Sequence, residues 1–311
     1  MAFNFHTGWG RLSADALFSN RIHAGNIFLV LASTNSYWEK YTEMLQAVNP
    51  AGKVTVHATL QAAIDAAVDD GDDVIYVAAG HSEDVTAAGG LDVDKDGLTI
   101  IGLGHGSNRP TINFTTATSA DMDIDEDNIT FENFIFDLTG FDALVAPIDV
   151  NKTNCRFLNC EFITADSGGQ CTLGILTDAN ASGLTIKNCY FKGSSNAGTA
   201  AAIRIVGGND HVIVDNIFIG AYTTTLGAID NVTTAIDRSY VMRNHIYNLT
   251  AAATKAMVFV ATSTVILAGN FMQISSGSAP ITAAVGSAVG ANEFSAVKNS
   301  SIIIGSIYTR Q

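Results

Sequence analysis

The chain has 311 residues, 47% of them hydrophobic and only 15% charged, with a formal net charge of −14 from 16 Lys and Arg against 30 Asp and Glu. That balance excludes a nucleic-acid backbone as partner, no stretch approaches the ~18 apolar residues of a membrane span, and Met1 to Asn20 lack the basic-then-apolar order of a secretion signal. The length suits two globular domains or one elongated solenoid, and a repeat decides for the solenoid.

Residues 1–26 mix aromatic and polar side chains without a period and read as an extended arm. Trp9, Arg11, Phe18 and Arg21 are its candidates for docking on a partner surface. Ile27 to Ala32 is an apolar run expected as a strand. Ser36 followed by Glu39 forms a capping box, and Trp38, Tyr41, Leu45 and Val48 then share a helical face up to Pro50. Thr59 opens a second helix, expected over Leu60 to Asp69, with Leu60, Ile64 and Val68 on one side. An acidic turn, Asp69 to Asp73, and an alternating strand, Val74 to Ala78, follow. A solenoid exposes apolar surface and unpaired backbone at its first coil, and an amphipathic helix laid across that end covers both. Residues 27–80 are therefore expected as a cap region with two short helices and the first strands, and residues 81–311 as the solenoid.

Within the solenoid, asparagines recur at Asn133, Asn159, Asn188, Asn216, Asn244 and Asn270, separated by 26, 29, 28, 28 and 26 residues. Apolar residues alternate with period two on each side, and the alternation changes phase at the Asn, which describes a strand, a corner and another strand. Such a period, with no helical spacing inside it, fits one coil of a parallel β-helix. Its coils stack at about 4.8 Å, so roughly eight of them make a rod about 40 Å long. Asn tolerates the left-handed backbone of a sharp corner, and its amide can bond the Asn above and below. The six are expected to form one structural ladder.

The outward residue of the preceding strand can also be followed from coil to coil. Asp123, Asp149, Leu176, Arg204 and Asp230 are spaced by 26, 27, 28 and 26 residues, which predicts an exposed column of two acids, an apolar gap, an Arg and another acid. The run Asp121 to Asp127 alternates acids as an EF-hand loop does, but lacks the central Gly and the closing Glu. Cys155, Cys160, Cys171 and Cys189 match no zinc spacing and read as reduced core residues. Triplets such as Asn231-Val232-Thr233 and Asn248-Leu249-Thr250 read as turns. His105 and His245 stand alone, and Gly102, Gly104 and Gly106 lack the context of a phosphate loop. No cofactor and no metal are expected. Most Phe and Tyr fall in inward columns, which argues against a stacked-aromatic sugar groove. Beyond the last Asn, Ser300 to Tyr308 reads as a final strand with no helix to close the bottom coil, and subunit contact is the expected cover.

Two resemblances add to this reading. Thr59 to Ala67, Asp73 to Gly80, Leu98 to Gly104 and the Asn column resemble right-handed parallel β-helices of the pectin-lyase-like superfamily, over about residues 55–310. This implies an all-β, right-handed parallel β-helix with an N-terminal arm and short capping helices. It implies no single activity, since the superfamily holds lyases, hydrolases, epimerases, tailspikes and non-enzymes. More narrowly, Ile101 to Ile112 together with His6 to Gly10 resembles β-helical proteins among the virion structural genes of tailed bacteriophages. That resemblance implies location in a virion assembled in the host cytoplasm, and a non-enzymatic role, with decoration of the capsid exterior ahead of a tail-associated adhesin. Its partners would be further copies of itself, as a homotrimer, and the major capsid protein or another virion protein. The alternative is a polysaccharide lyase or depolymerase acting on an acidic glycan. In the superfamily's lyases outward acids bind calcium and an Arg or Lys takes the proton, which would make Asp123 and Asp149 the calcium ligands and Arg204 the base. A hydrolase would instead pair Asp149 with Asp123 or Asp178.

Overall fold

The computed structural model describes residues 25–32, 39, 43, 55–195, 198–223, 226–231, 233–275, 280–282, 288–289, 292–298 and 301–307. The docking candidates Trp9, Arg11, Phe18 and Arg21, and the apolar face Trp38, Tyr41, Leu45 and Val48, lie outside them.

Three sheets run the length of the rod. Sheet A has 11 strands, sheet B ten and sheet C eight, and successive strands of each sheet come from successive turns of the chain. One turn contributes a strand to C, then A, then B, as Met122–Ile124, Thr130–Glu132 and Ile135–Asp137 do. The eight strands of sheet C thus mark eight turns. Among the described residues the strands of the three sheets pair in parallel except the last, where Asn292–Lys298 and Ser301–Ile307 form an antiparallel hairpin at the end of sheet B. The expected final strand is present, and it folds back on its predecessor.

At the other end, strand Ile27–Val30 lies between Val56–His57 and Val74–Val77. The capping helix α1 spans Leu60–Ala66, with the Thr59 hydroxyl accepting from the Ala62 amide at 3.2 Å. It buries Leu60, Ala63 and Ile64. The helix is shorter than the expected Leu60 to Asp69: Ala67 is already extended, and Val68, expected on the buried side, is exposed. Asp70 and Asp72 in the following turn hold left-handed backbone, which no continuing helix allows. Gln61 ties the helix to the first coil, donating to the Asp92 carbonyl at 3.1 Å and accepting from the Asp92 amide at 2.8 Å.

In-register stacking places like side chains on like. Phe136, Phe162, Phe191 and Phe218 form one buried column with ring centroids 5.1, 4.5 and 4.6 Å apart. Those distances follow from the strand spacing and suit offset stacking. All four cysteines are free and buried; burial pushes the Cys155 and Cys171 thiols up to about 12.

The asparagine column requires a correction. Register pairs Phe131 with Phe157, Phe157 with Ile186, Ile186 with Ile213, Ile213 with Val241, and Val241 with Leu267. Counting from that inward column, Asn133, Asn159 and Asn188 stand at the second position, but Asn216, Asn244 and Asn270 at the third. The second position is the corner itself, and its residues Asn133, Asn159, Asn188, Asp215, Arg243 and Gly269 all have φ between 54° and 66°. The third position points inward, and there Phe134, Cys160 and Cys189 give way to Asn216, Asn244, Asn270 and Asn292, all buried. These four asparagines bond in series. The Asn216 amide nitrogen Nδ2 donates to Asn244 Oδ1 at 3.0 Å, Asn244 Nδ2 to Asn270 Oδ1 at 3.1 Å, and Asn270 Nδ2 to Asn292 Oδ1 at 2.9 Å. Asn159 and Asn188 face solvent, and Asn133 bonds the Gly102 and Gly104 carbonyls instead. The spacing from Asn188 to Asn216 hides a change of phase by one residue, which in a strand exchanges the two faces.

Candidate functional site

Sheet C brings the predicted column into register, but not as the exposed column expected: Asp123, Asp149, Leu176 and Arg204 are half-buried and Asp230 is fully buried. Asp123 stands beside Asp149, Asp149 beside Leu176, Leu176 beside Arg204 and Arg204 beside Asp230. Register adds Asp92 at the top, next to Asp123, so three acids stack in consecutive turns. Asp92 was legible as well: Leu91-Asp92-Val93 repeats the apolar–Asp–apolar pattern of Met122-Asp123-Ile124, 31 residues upstream, outside the 26 to 28 residue steps used to trace the column.

The two halves of the column differ in electrostatics. Asp123 and Asp149 have no hydrogen-bond or ion-pair partner among the described residues. Burial pushes each carboxyl up to about 6, with a further rise from neighbouring acids: Asp121, Asp125 and Asp92 for the first, and Asp123, Asp121, Asp178 and Asp125 for the second. Asp92 is raised for the same two reasons, burial and the nearby Asp94 and Asp125 charges. The rest of the acidic run serves the coil stack. Asp125 accepts from Asn151 Nδ2 at 2.8 Å, Asp127 from the Thr153 amide at 2.7 Å, and Asp121 from the Gly89 amide.

Lower down, Arg204 is committed. Its Nε and Nη2 donate to Asp230 Oδ1 and Oδ2 at 2.8 and 2.7 Å, and the Asp230 side chain is fully buried. The bidentate hydrogen bond holds the guanidinium proton more tightly than usual. Arg204, the base in the lyase reading, thus compensates the buried carboxylate of Asp230. Similar pairs stitch neighbouring turns elsewhere, Arg238 to Asp210 and Arg243 to Asp215, and Arg109 reaches Glu161 two turns away. Among the described residues no group of three or more His, Cys, Asp and Glu is placed to hold a metal ion together.

Chemically, the upper column can hold a proton near neutral pH on either of two adjacent carboxylates.

No protein-family model matches the sequence, and neither does any curated protein. Solved structures do. An alginate lyase from Paenibacillus sp. str. FPU-7 is similar at 15% identity and a TM-score of 0.45, over 72% of this chain and 96% of that one. A rhamnogalacturonan lyase is similar at 14% identity and 0.44, over 80% and 74%. A tailspike protein of E. coli bacteriophage HK620 is similar at 13% identity and 0.35, over 70% of this chain and 54% of that one. This chain's own fold, read from its strand pairing, is an all-β parallel β-solenoid of about eight turns.

Proposed function

We propose that this protein is a non-enzymatic structural component of a bacteriophage virion, decorating the capsid exterior through its N-terminal arm. The observation that carries the non-enzymatic part is the bond between Arg204 and buried Asp230. An elimination reaction needs a base beside its bound carboxylate, and the cation of that sheet C column among the described residues, Arg204, is engaged bidentately by buried Asp230. The location is supported by the resemblance of residues 101–112 and of the arm to phage virion β-helices. Its partners are other copies of itself and the major capsid protein, or another virion protein. A tail-associated adhesin is the nearest variant. The test is re-binding of the purified protein to particles that lack it: the full chain binds and a chain deleted for residues 1–26 does not. Equal binding by both would remove the arm from the proposal.

A second reading, glycan hydrolysis, is favoured by one observation, the unpartnered pair Asp123 and Asp149 with both carboxyls near 6. At neutral pH one could donate a proton while the other acts as base or nucleophile. Release of reducing ends from an acidic polysaccharide, lost in both Asp123→Asn and Asp149→Asn, would put this reading in place of the first.

A further inference from the structure

One inward column of sheet A holds a histidine among largely apolar residues. Where the turn from sheet C enters sheet A, register stacks Ile129, Cys155, Leu184, His211, Ser239 and Val265, all buried. His211 is fully enclosed. Its Nε2 lies 3.0 Å from the Gly207 carbonyl, which can only accept, so Nε2 carries the ring hydrogen and Nδ1 presents a bare lone pair. Nδ1 has no hydrogen-bond partner among the described residues. Leu184 above offers none. The Ser239 hydroxyl below is committed, accepting from the His211 backbone N–H at 3.1 Å and donating to the Asp237 carbonyl at 3.1 Å. Burial favours this neutral ring and lowers its affinity for a second proton.

The ring is closed in by the turn from Val206 to Asp210, in the fifth of the eight coils. Two glycines let that turn sit tight on the one above it. A Cβ at Gly207 would collide with the Ala179 carbonyl and one at Gly208 with the Ala181 carbonyl, and Gly208 has φ 82°. Asn209 fastens the turn on both sides, its N–H donating to Ser182 Oγ at 3.0 Å and its Oδ1 accepting from the Asp237 N–H at 2.8 Å. The charged groups on the turns packed around the ring are Asp178 above, Asp210 on its own turn, and Asp237 and Arg238 below. Asp210 is the one whose charge reaches the ring, and Arg238 bonds both of its oxygens at 2.7 Å. A proton added at Nδ1 would thus set a cation and an unpaired N–H in the interior, a state disfavoured until the turn lifts and water reaches the ring.

We propose that His211 is an acid-sensitive latch: when its ring takes a second proton, the turn from Val206 to Asp210 lifts and admits water to the fifth coil, while the coils above and below keep their strand pairing. The device does not depend on where the protein acts. The closed turn holds the ring neutral below the ordinary histidine value of 6.5, so closure is at full strength above that pH and weakens as pH falls beneath it. Asp123 and Asp149 move global stability the other way over an overlapping range, so the test is local. Hydrogen–deuterium exchange of the full chain, corrected for the intrinsic effect of pH, should show the amides of residues 206–211 opening about fivefold or more often at about pH 5.5 than at about pH 7.5. The turn of residues 178–183, one coil above, places Leu184 where His211 stands and should not respond. His211→Leu should abolish the response of the lower turn. Should that variant fail to fold, the ring carbon signals of the wild type decide, since they should keep their neutral position well below pH 6.5. Equal protection of residues 206–211 at the two pH values would overturn the proposal. So would a response that survives in His211→Leu or is shared by residues 178–183, or a ring that titrates at 6.5 with the turn still closed.

Discussion

Removing the side chain of Asn244 separates the buried asparagine column from the corner column beside it. Asn244 Oδ1 accepts from both the Asn216 backbone amide and Asn216 Nδ2 at 3.0 Å, and Asn244 Nδ2 donates to the Ile213 carbonyl at 2.9 Å and to Asn270 Oδ1. In Asn244→Ala, Asn216 Nδ2 keeps its bond to the Ile186 carbonyl, and Asn270 Oδ1 keeps the Asn244 amide. The Asn216 backbone N–H keeps nothing and is buried. One orphaned donor costs about 1–3 kcal/mol, and the partial losses at Nδ2 and Ile213 bring the expected total to about 2–5 kcal/mol. Asn188 behaves differently. It is exposed, makes no side-chain hydrogen bond among the described residues, and has φ 54°, so Asn188→Ala should cost about 1–2 kcal/mol from left-handed backbone alone. Glycine distinguishes the two causes: Asn188→Gly should recover most of that loss, whereas Asn244→Gly should recover none, because Asn244 is not left-handed. Urea unfolding followed by far-UV circular dichroism measures all four. Equal losses in Asn188→Ala and Asn244→Ala, or rescue of position 244 by glycine, would refute the assignment of the two columns.

Other consequences are as direct. Phe162→Ala removes a ring stacked between Phe136 and Phe191 and edge-on to Phe157, and thermal unfolding should report a loss of about 3–5 kcal/mol; Phe141→Ala, at an exposed site, should change stability by less than about 0.5 kcal/mol. Arg204→Ala strands the Asp230 carboxylate in the interior and should cost about 3–5 kcal/mol in the same measurement, most of it restored by adding Asp230→Asn. Asp123 and Asp149 have folded values near 6 against 3.8 for the free group, so the folded chain holds protons that the unfolded chain has released. Stability should therefore fall as pH rises from about 4 to 6 and level off above. Asp149→Asn should flatten that slope and add about 1 kcal/mol at pH 7, after allowance for solvent screening of a half-exposed group, as measured by urea midpoints across pH.

The repeat, the solenoid and the outward column from Asp123 to Asp230 were all legible, because a coil of near-constant length carries position from one turn to the next. The phase of the asparagines was not. Asn occurs at the corner for its backbone and one residue later for its amide, and a 28-residue step links the two as smoothly as it links like with like. The role of Arg204 was hidden for a related reason. Alternation assigns Asp230 to the outer face, but its side chain is fully buried, and only that burial turns a surface ion pair into a structural one. The end of α1 was missed because Val68 keeps helical spacing while the acidic turn after it takes the backbone elsewhere.

The most direct test of the structural role is the copy number of this protein in purified particles, by quantitative mass spectrometry against the major capsid protein. Decoration of the head predicts hundreds of copies per particle. A handful would move it to the tail, and absence from particles, with glycan cleavage that depends on Asp123 and Asp149, would contradict a structural role altogether.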